Sequence, residues 1–320
     1  ENGPETLFRK GISNYTNISL DGGNEDGTFR FGYTNDDRQG ILPNSLIKKD
    51  IVDLSGTYNF TDKLSATAKG TYTRVSGRGR YGTGYDSGNV VQMMRQWFQT
   101  NVDLQEQRDA YFATGQNITW NPNGLNDLSP HYFDNPYFTL YDNYQSDLRN
   151  RFIGRAQLDY QFNDWLSAFA RFGVDTYSDL QEERKNIGSV DQSFYQKYHR
   201  NFEQYNYDFI VNFDKDISEK INLNGLIGTS VLTQKINSTR AATNGGLVVP
   251  GLWALSNSVS ALSPPTEFDF NKRKLGHYAQ LSIGYDDLFF LDGSFRVDES
   301  STLPAGENVY YYPSVSGSFV

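Results

Sequence analysis

The chain has 320 residues, no cysteine, a formal net charge of -9 and a mean hydropathy of -0.62. These features exclude disulfides, thiol catalysis and thiolate metal sites. They also argue against nucleic acid as the main partner, because phosphate binding needs a clustered basic surface. No run of about 18 apolar residues is present to form a spanning helix.

Low hydropathy does not by itself make the chain soluble, because a strand that alternates lipid-facing and polar residues averages to an ordinary value. Aromatics reach 15%, with 22 Tyr and 22 Phe, a composition that suits strands and apolar/polar boundaries alike. The first residues do not read as a charged-then-apolar leader, so the chain is expected to be processed or a piece of something longer.

In chain order, the first hairpin is predicted at 15–21 and 28–34 around "GGNEDG". The next has Val52, Leu54, Tyr58 and Phe60 on one parity before Thr61-Asp62-Lys63, and Leu64, Ala66, Ala68 and Tyr72 after it. A period of two means strands, because successive side chains leave opposite faces of a pleated chain.

The insertion at 76–150 breaks this rhythm. Ser87 reads as a helix cap ahead of Val90, Val91, Met94, Trp97 and Phe98 at helical spacing, and Leu104, Tyr111 and Phe112 repeat the spacing later. Such a stripe is expected mainly to pack the loop onto itself.

Alternation then resumes. Ala156, Leu158, Tyr160 and Phe162 share a parity, Asn163-Asp164 supplies the turn, and Leu166, Ala168, Ala170, Phe172 and Val174 continue the row. Tyr205, Tyr207, Phe209, Val211 and Phe213 lead through an Asp/Lys/Ser-rich turn to Ile221, Leu223, Ile227 and Val231. Ala279, Leu281, Ile283 and Tyr285 lead through Asp286-Asp287 to Phe289, Leu291, Phe295 and Val297. With the terminal "YYPSVSGSFV", the count is roughly eleven strands of about 9–11 residues, the length that spans a bilayer when tilted.

The links carry a second signal. Five tight turns alternate strictly with long links near 35–50, 76–150, 178–204 and 233–274, as if every strand crossed one slab with all long loops on the same side. A soluble sandwich has no reason to keep that parity. An odd strand count ending inside a strand at Val320 is expected of part of a barrel, since barrels must close.

Chemistry is sparse. His131, His199 and His277 are far apart in sequence and show no ligand spacing, so no metal or other cofactor is expected. No GxSxG elbow occurs. "GRGRYG", Gly77 to Gly82, satisfies GxGxxG but lacks the βαβ context of a dinucleotide site. Glu182-Glu183 and Asp286-Asp287 read as loop and turn residues, and no catalytic residue is assigned. Trp97, Trp120, Tyr137 and Trp253 are the ligand-contact candidates, because flat amphipathic rings can stack on a sugar or a peptide. Loop packing or an interface girdle is the plainer role for any one of them.

Several stretches in order, "NISLDGGNEDGTFRFGYTNDDRQGILPNS", "MMRQWFQTNVDL", "TWNPN", "DNPYF" and "LGHYAQLSIGYDDLFFLDGSFRVDESSTLPAGENVYYYPSVSGSFV", resemble the SusC/RagA family of TonB-dependent outer-membrane transporters of Bacteroidetes. Arg296-Val297-Asp298-Glu299-Ser300-Ser301 is a modified form of the family's Arg-Asp-Ser-Ser segment. The resemblance implies an all-β, antiparallel transmembrane barrel of about 22 strands, with this chain as the first half of its wall and a helical insertion in one extracellular loop.

It further implies a plug domain and a TonB-contact segment outside these residues, a SusD-like surface lipoprotein as lid, and import of an oligosaccharide or peptide across the outer membrane. The alternative is a soluble β-rich glycan-binding or adhesin module, whose apolar rows would seal against each other as a sandwich core.

Overall fold

The computed structural model describes residues 2–95 and 97–320. Eleven strands follow each other: β1 (Ile12–Gly23), β2 (Gly27–Gln39), β3 (Leu46–Thr61), β4 (Leu64–Arg78), β5 (Ser146–Asn163), β6 (Leu166–Lys185), β7 (Phe194–Ser218), β8 (Ile221–Ala242), β9 (Thr266–Tyr285), β10 (Phe289–Ser300) and β11 (Val309–Phe319). All belong to one sheet, each hydrogen-bonded antiparallel to its neighbours in sequence. The result is an up-and-down meander, the connectivity of a barrel wall.

Register aligns the two parities across the sheet. Leu64, Tyr160, Ala168, Val211, Ile227, Ala279, Phe295 and Pro313 form one cross-strand row over eight strands, apolar at every position. On the other face, Thr57, Thr67, Gln157, Arg171, Asp208, Ser230, Gly276, Asp298 and Tyr310 form a row with no aliphatic side chain. A one-residue slip in any strand would exchange these faces, so the two solvents they meet fix the register.

Among the described residues no second sheet covers the apolar face. Leu158, Tyr160 and Phe162 are 46%, 41% and 48% exposed, and the apolar rows of different hairpins lie side by side instead of face to face. The sandwich expectation is therefore overturned. A contiguous apolar surface of this size without a covering layer fits hydrocarbon.

All the strands but β11 are longer than the expected 9–11 residues; β7 runs for 25 and β8 for 22. On the apolar face, β7 reads Phe213, Val211, Phe209, Tyr207 and Tyr205, then Glu203, Asn201 and His199. At roughly 3.3 Å per residue the apolar part covers about 26 Å along the strand. With a tilt of about 40° it spans roughly 20 Å, close to the apolar band of an outer-membrane barrel. Beyond Tyr205 the ladder continues with polar residues on the face that was apolar.

The links shrink accordingly. The separations at 40–45, 186–193 and 243–265 are all that remain of the links expected near 35–50, 178–204 and 233–274. The insertion at 79–145 stays long.

The tight turns have the expected chemistry. Asp286 and Asp287 both take positive φ, 56° and 55°, between Tyr285 and a Leu288 N–H that donates to the Tyr285 carbonyl at 3.1 Å. This is the two-residue turn whose twist matches antiparallel strands.

Candidate functional site

The insertion folds as a small body of its own, fastened to the other links at the same end of the sheet. It contains α1 (Val90–Arg95), α2 (Leu104–Thr114), α3 (Pro136–Tyr141) and a short ladder pairing 122–124 with 127–130. Leu7, Val90, Met93, Leu104, Tyr137 and Leu140 form its core, each 5% exposed or less. The residues before β1 take part through Leu7. The Asn2 side chain donates to Asp103 at 2.9 Å, and the Leu104 N–H donates to the Asn2 carbonyl at 2.8 Å.

Helix ends are satisfied locally. Asp103 caps α2 by accepting from the Gln105 N–H at 2.8 Å, and Gly115 closes the helix at φ 67°. Before α1 the side chain in capping position is Asn89, which accepts from Val91 N–H at 3.2 Å and Gln92 N–H at 3.3 Å. This corrects the Ser87 expectation: Ser87 instead bonds Asp191 and accepts from Lys185 at 2.9 Å.

Two buried polar side chains hold the body together, and one of them ties it to its surroundings. Asn135, fully buried, accepts from the Tyr137 N–H and donates to the carbonyls of Gln107 and Ile118, each at 2.8 Å. Asp134 accepts from Asn117 at 2.8 Å, the Val190 N–H at 2.7 Å, Ser189 at 3.0 Å and Asn143 at 3.1 Å, which joins the insertion to the 186–193 link. Burial pushes the Asp134 carboxyl above the ordinary aspartate range, against the pull of those donors. Asn44 and Tyr81 both donate to the Leu140 carbonyl, at 2.8 and 3.2 Å, and tie in the 40–45 link.

The four aromatic candidates have different environments. Trp97 is 72% exposed, at a positive φ of 69° just past α1. Trp120 is half-buried, stacked on Phe133 at 6.1 Å and edge-on to Phe98 at 5.5 Å, with its indole N–H buried and unpartnered. Trp253 is half-buried beside Tyr195 at 6.4 Å. Tyr137 is 5% exposed within the loop core and has no face free for a ligand. Among the described residues, none of the four rings touches another.

The three histidines stay apart, His131 bonded to Asn123 at 2.6 Å and His199 to Ser178 at 2.9 Å. Among the described residues no three of His, Asp and Glu gather as a metal ligand set. "GRGRYG" is a strand exit: Gly79 has φ 78°, and a Cβ there would lie 2.9 Å from the Asn44 carbonyl oxygen. Glu182 accepts from Arg184 at 2.8 Å and also bonds Tyr195, while Glu183 lies 3.5 Å from Arg80. These acids are structural partners, not a paired acid and base.

Sequence reading missed the polar face of the wall. There Arg149 pairs with Asp179 at 2.7 Å, Arg151 with Asp175 at 2.6 Å, Arg171 with Asp208 at 2.7 Å, and Arg296 with Asp298 at 2.8 Å. Tyr177 and Phe202 stack at 5.0 Å beneath the Arg149 guanidinium. The signal was present as the opposite parity of the strands already recognised.

No protein-family model and no curated protein matches the chain. Solved structures do. The RagAB peptide transporter superposes at a TM-score of 0.78 with 17% identity, covering 100% of this chain and 35% of that one. The RagAB peptide importer in its closed-closed state gives 0.75 at 17% identity, again covering 100% and 35%. The ferripyoverdine receptor of the Pseudomonas aeruginosa outer membrane gives 0.57 at 11% identity, covering 97% and 38%.

The chain thus spans about a third of the length of the solved structures it matches. Its apolar band, polar opposite face and one-sided loops together with these superpositions give it the fold of a section of the barrel wall of those structures.

Proposed function

We propose that the chain is part of an outer-membrane importer that takes up a nutrient oligomer, a peptide or an oligosaccharide, with energy supplied through TonB and a plug. A SusD-like surface lipoprotein closes over the loop end. The observation that carries this reading is the division of one sheet into an uncovered apolar face and a polar, ion-paired face. A wall needs that division when lipid lies on one side and an aqueous conduit on the other. The peptide importer among the similar structures supports the cargo class and the lipoprotein partner; it carries no catalytic inference.

The fused links at the loop end are the proposed capture surface. Exposed Trp97 is its leading aromatic contact, with half-buried Trp120 and Trp253 behind it. Separation of membranes tests the reading: the intact protein is expected in the outer-membrane fraction, and deleting its gene is expected to abolish uptake of one class of oligomer. Recovery only from the soluble fraction would end it.

A further inference from the structure

On the polar face, the four cations Arg200, Arg240, Lys272 and Lys274 descend along β7, β8 and β9 toward the turn end. Arg200 lies opposite Ser238, Arg240 opposite Tyr198, Lys272 opposite Gln234 and Lys274 opposite Leu232. Among the described residues none of them is in an ion pair, in contrast to Arg149 and Arg151 of β5 and Arg171 of β6. The Arg200 Nε is buried without a hydrogen-bond partner, and Arg240 lies over the Tyr198 ring at 4.8 Å.

Lys272 and Lys274 also line a groove of about 580 Å³ that extends to Arg296, Thr302, Tyr310 and Tyr312. Four of the acids that face this strip are already engaged. Asp175, Asp179, Asp208 and Asp298 are held by Arg151, Arg149, Arg171 and Arg296; Glu299 of the groove, which accepts from the neutral Asn308 amide at 3.3 Å, keeps its charge, one carboxylate against four cations. The strip therefore keeps unneutralised positive charge in a chain whose net charge is -9.

We infer that this strip takes a carboxylate-bearing oligomer, an acidic peptide or an acidic oligosaccharide, and guides it from the loop end into the lumen. The inference rests on the importer reading and narrows its cargo. Unpaired cations on a concentrated path raise the local density of anions and speed their capture. Polar neighbours such as Gln204, Gln234 and Asn206 supply hydrogen bonds without adding charge.

The test uses the intact protein, purified in detergent from outer membranes, with four probes: a short Asp/Ala peptide, its Asn/Ala counterpart, an oligogalacturonate and its methyl ester. At low ionic strength one acidic probe is expected to bind about tenfold more tightly than its neutral partner, and salt should erase the difference. Which acidic probe binds identifies the source of the carboxylates. Lys272→Gln with Lys274→Gln should remove the preference, while Lys69→Gln, on the same face of β4, should not.

Equal binding of acidic and neutral probes, or a preference unmoved by the double variant, would overturn the inference. Uptake of neutral oligomers alone by cells would leave the importer reading standing and remove the charge preference. If cells take up no oligomer of either charge, both fall.

Discussion

The wall and the insertion treat apolar side chains in opposite ways. In the wall, Leu158, Tyr160 and Phe162 lie open on one face of a single sheet, and nothing among the described residues covers them. In the insertion, Val90, Met93, Leu104 and Leu140 are fully buried around three helices. One region needs hydrocarbon to complete it; the other carries its own core. The difference teaches that apolar content says little until the geometry shows where each side chain points.

Substitutions can break that comparison from either side. The largest effect is expected from Leu140→Asp, because an unpaired carboxylate in a sealed core costs several kcal/mol. The insertion should become protease-sensitive while the wall still assembles in the membrane. Limited proteolysis of intact cells, followed by heat-dependent gel mobility of the barrel, checks both halves.

Leu158→Arg should do the reverse. It places a guanidinium near the middle of the apolar band, between Ala66 and Ala170, at a cost of about 2–4 kcal/mol at the bilayer midplane. Reduced assembly and a lower midpoint in denaturant titrations with lipid vesicles are the expected readings. The same change at Gln157, on the polar face, should leave assembly intact.

A smaller effect, about 1–3 kcal/mol for each polar group left unpaired, is expected from Asn135→Ala. It strips the cap from α3 and abandons the carbonyls of Gln107 and Ile118. Hydrogen exchange should quicken at the Tyr137 amide and in the adjoining helices but not in β5 or β6.

These regions were not equally legible in the sequence. The wall was visible from the first hairpin at 15–34 to the terminal strand wherever contrasting residues fall on alternate positions. It faded above Tyr205, where Glu203, Asn201 and His199 end the apolar row and a hydrogen-bonded ladder looks like a loop. Helical spacing located α1 and α2, but only part of the expected stripe packs: Val90 and Leu104 are buried, Val91, Trp97 and Phe112 are exposed, and Trp97 and Phe98 lie past the end of α1. The Ser87 cap failed because Asn89 stands nearer the helix, and Ser87 was drawn to Asp191 and Lys185 by a link about a hundred residues away in sequence.

The candidate site was least legible. An aromatic ring in a loop does not reveal whether it is buried, like Tyr137, or open, like Trp97. The unpaired cations became recognisable only when register separated Lys272 and Lys274 from arginines that already hold aspartates.

The most direct measurement exploits the chain's lack of cysteine. Spin labels attached through Gln157→Cys, Leu158→Cys, Asp159→Cys and Tyr160→Cys in the membrane-embedded protein report collision with oxygen, enriched in lipid, and with a water-soluble nickel chelate. The account predicts oxygen access at 158 and 160 and chelate access or burial at 157 and 159. Oxygen access that fails to alternate, or chelate access along the 158/160 row, would contradict it.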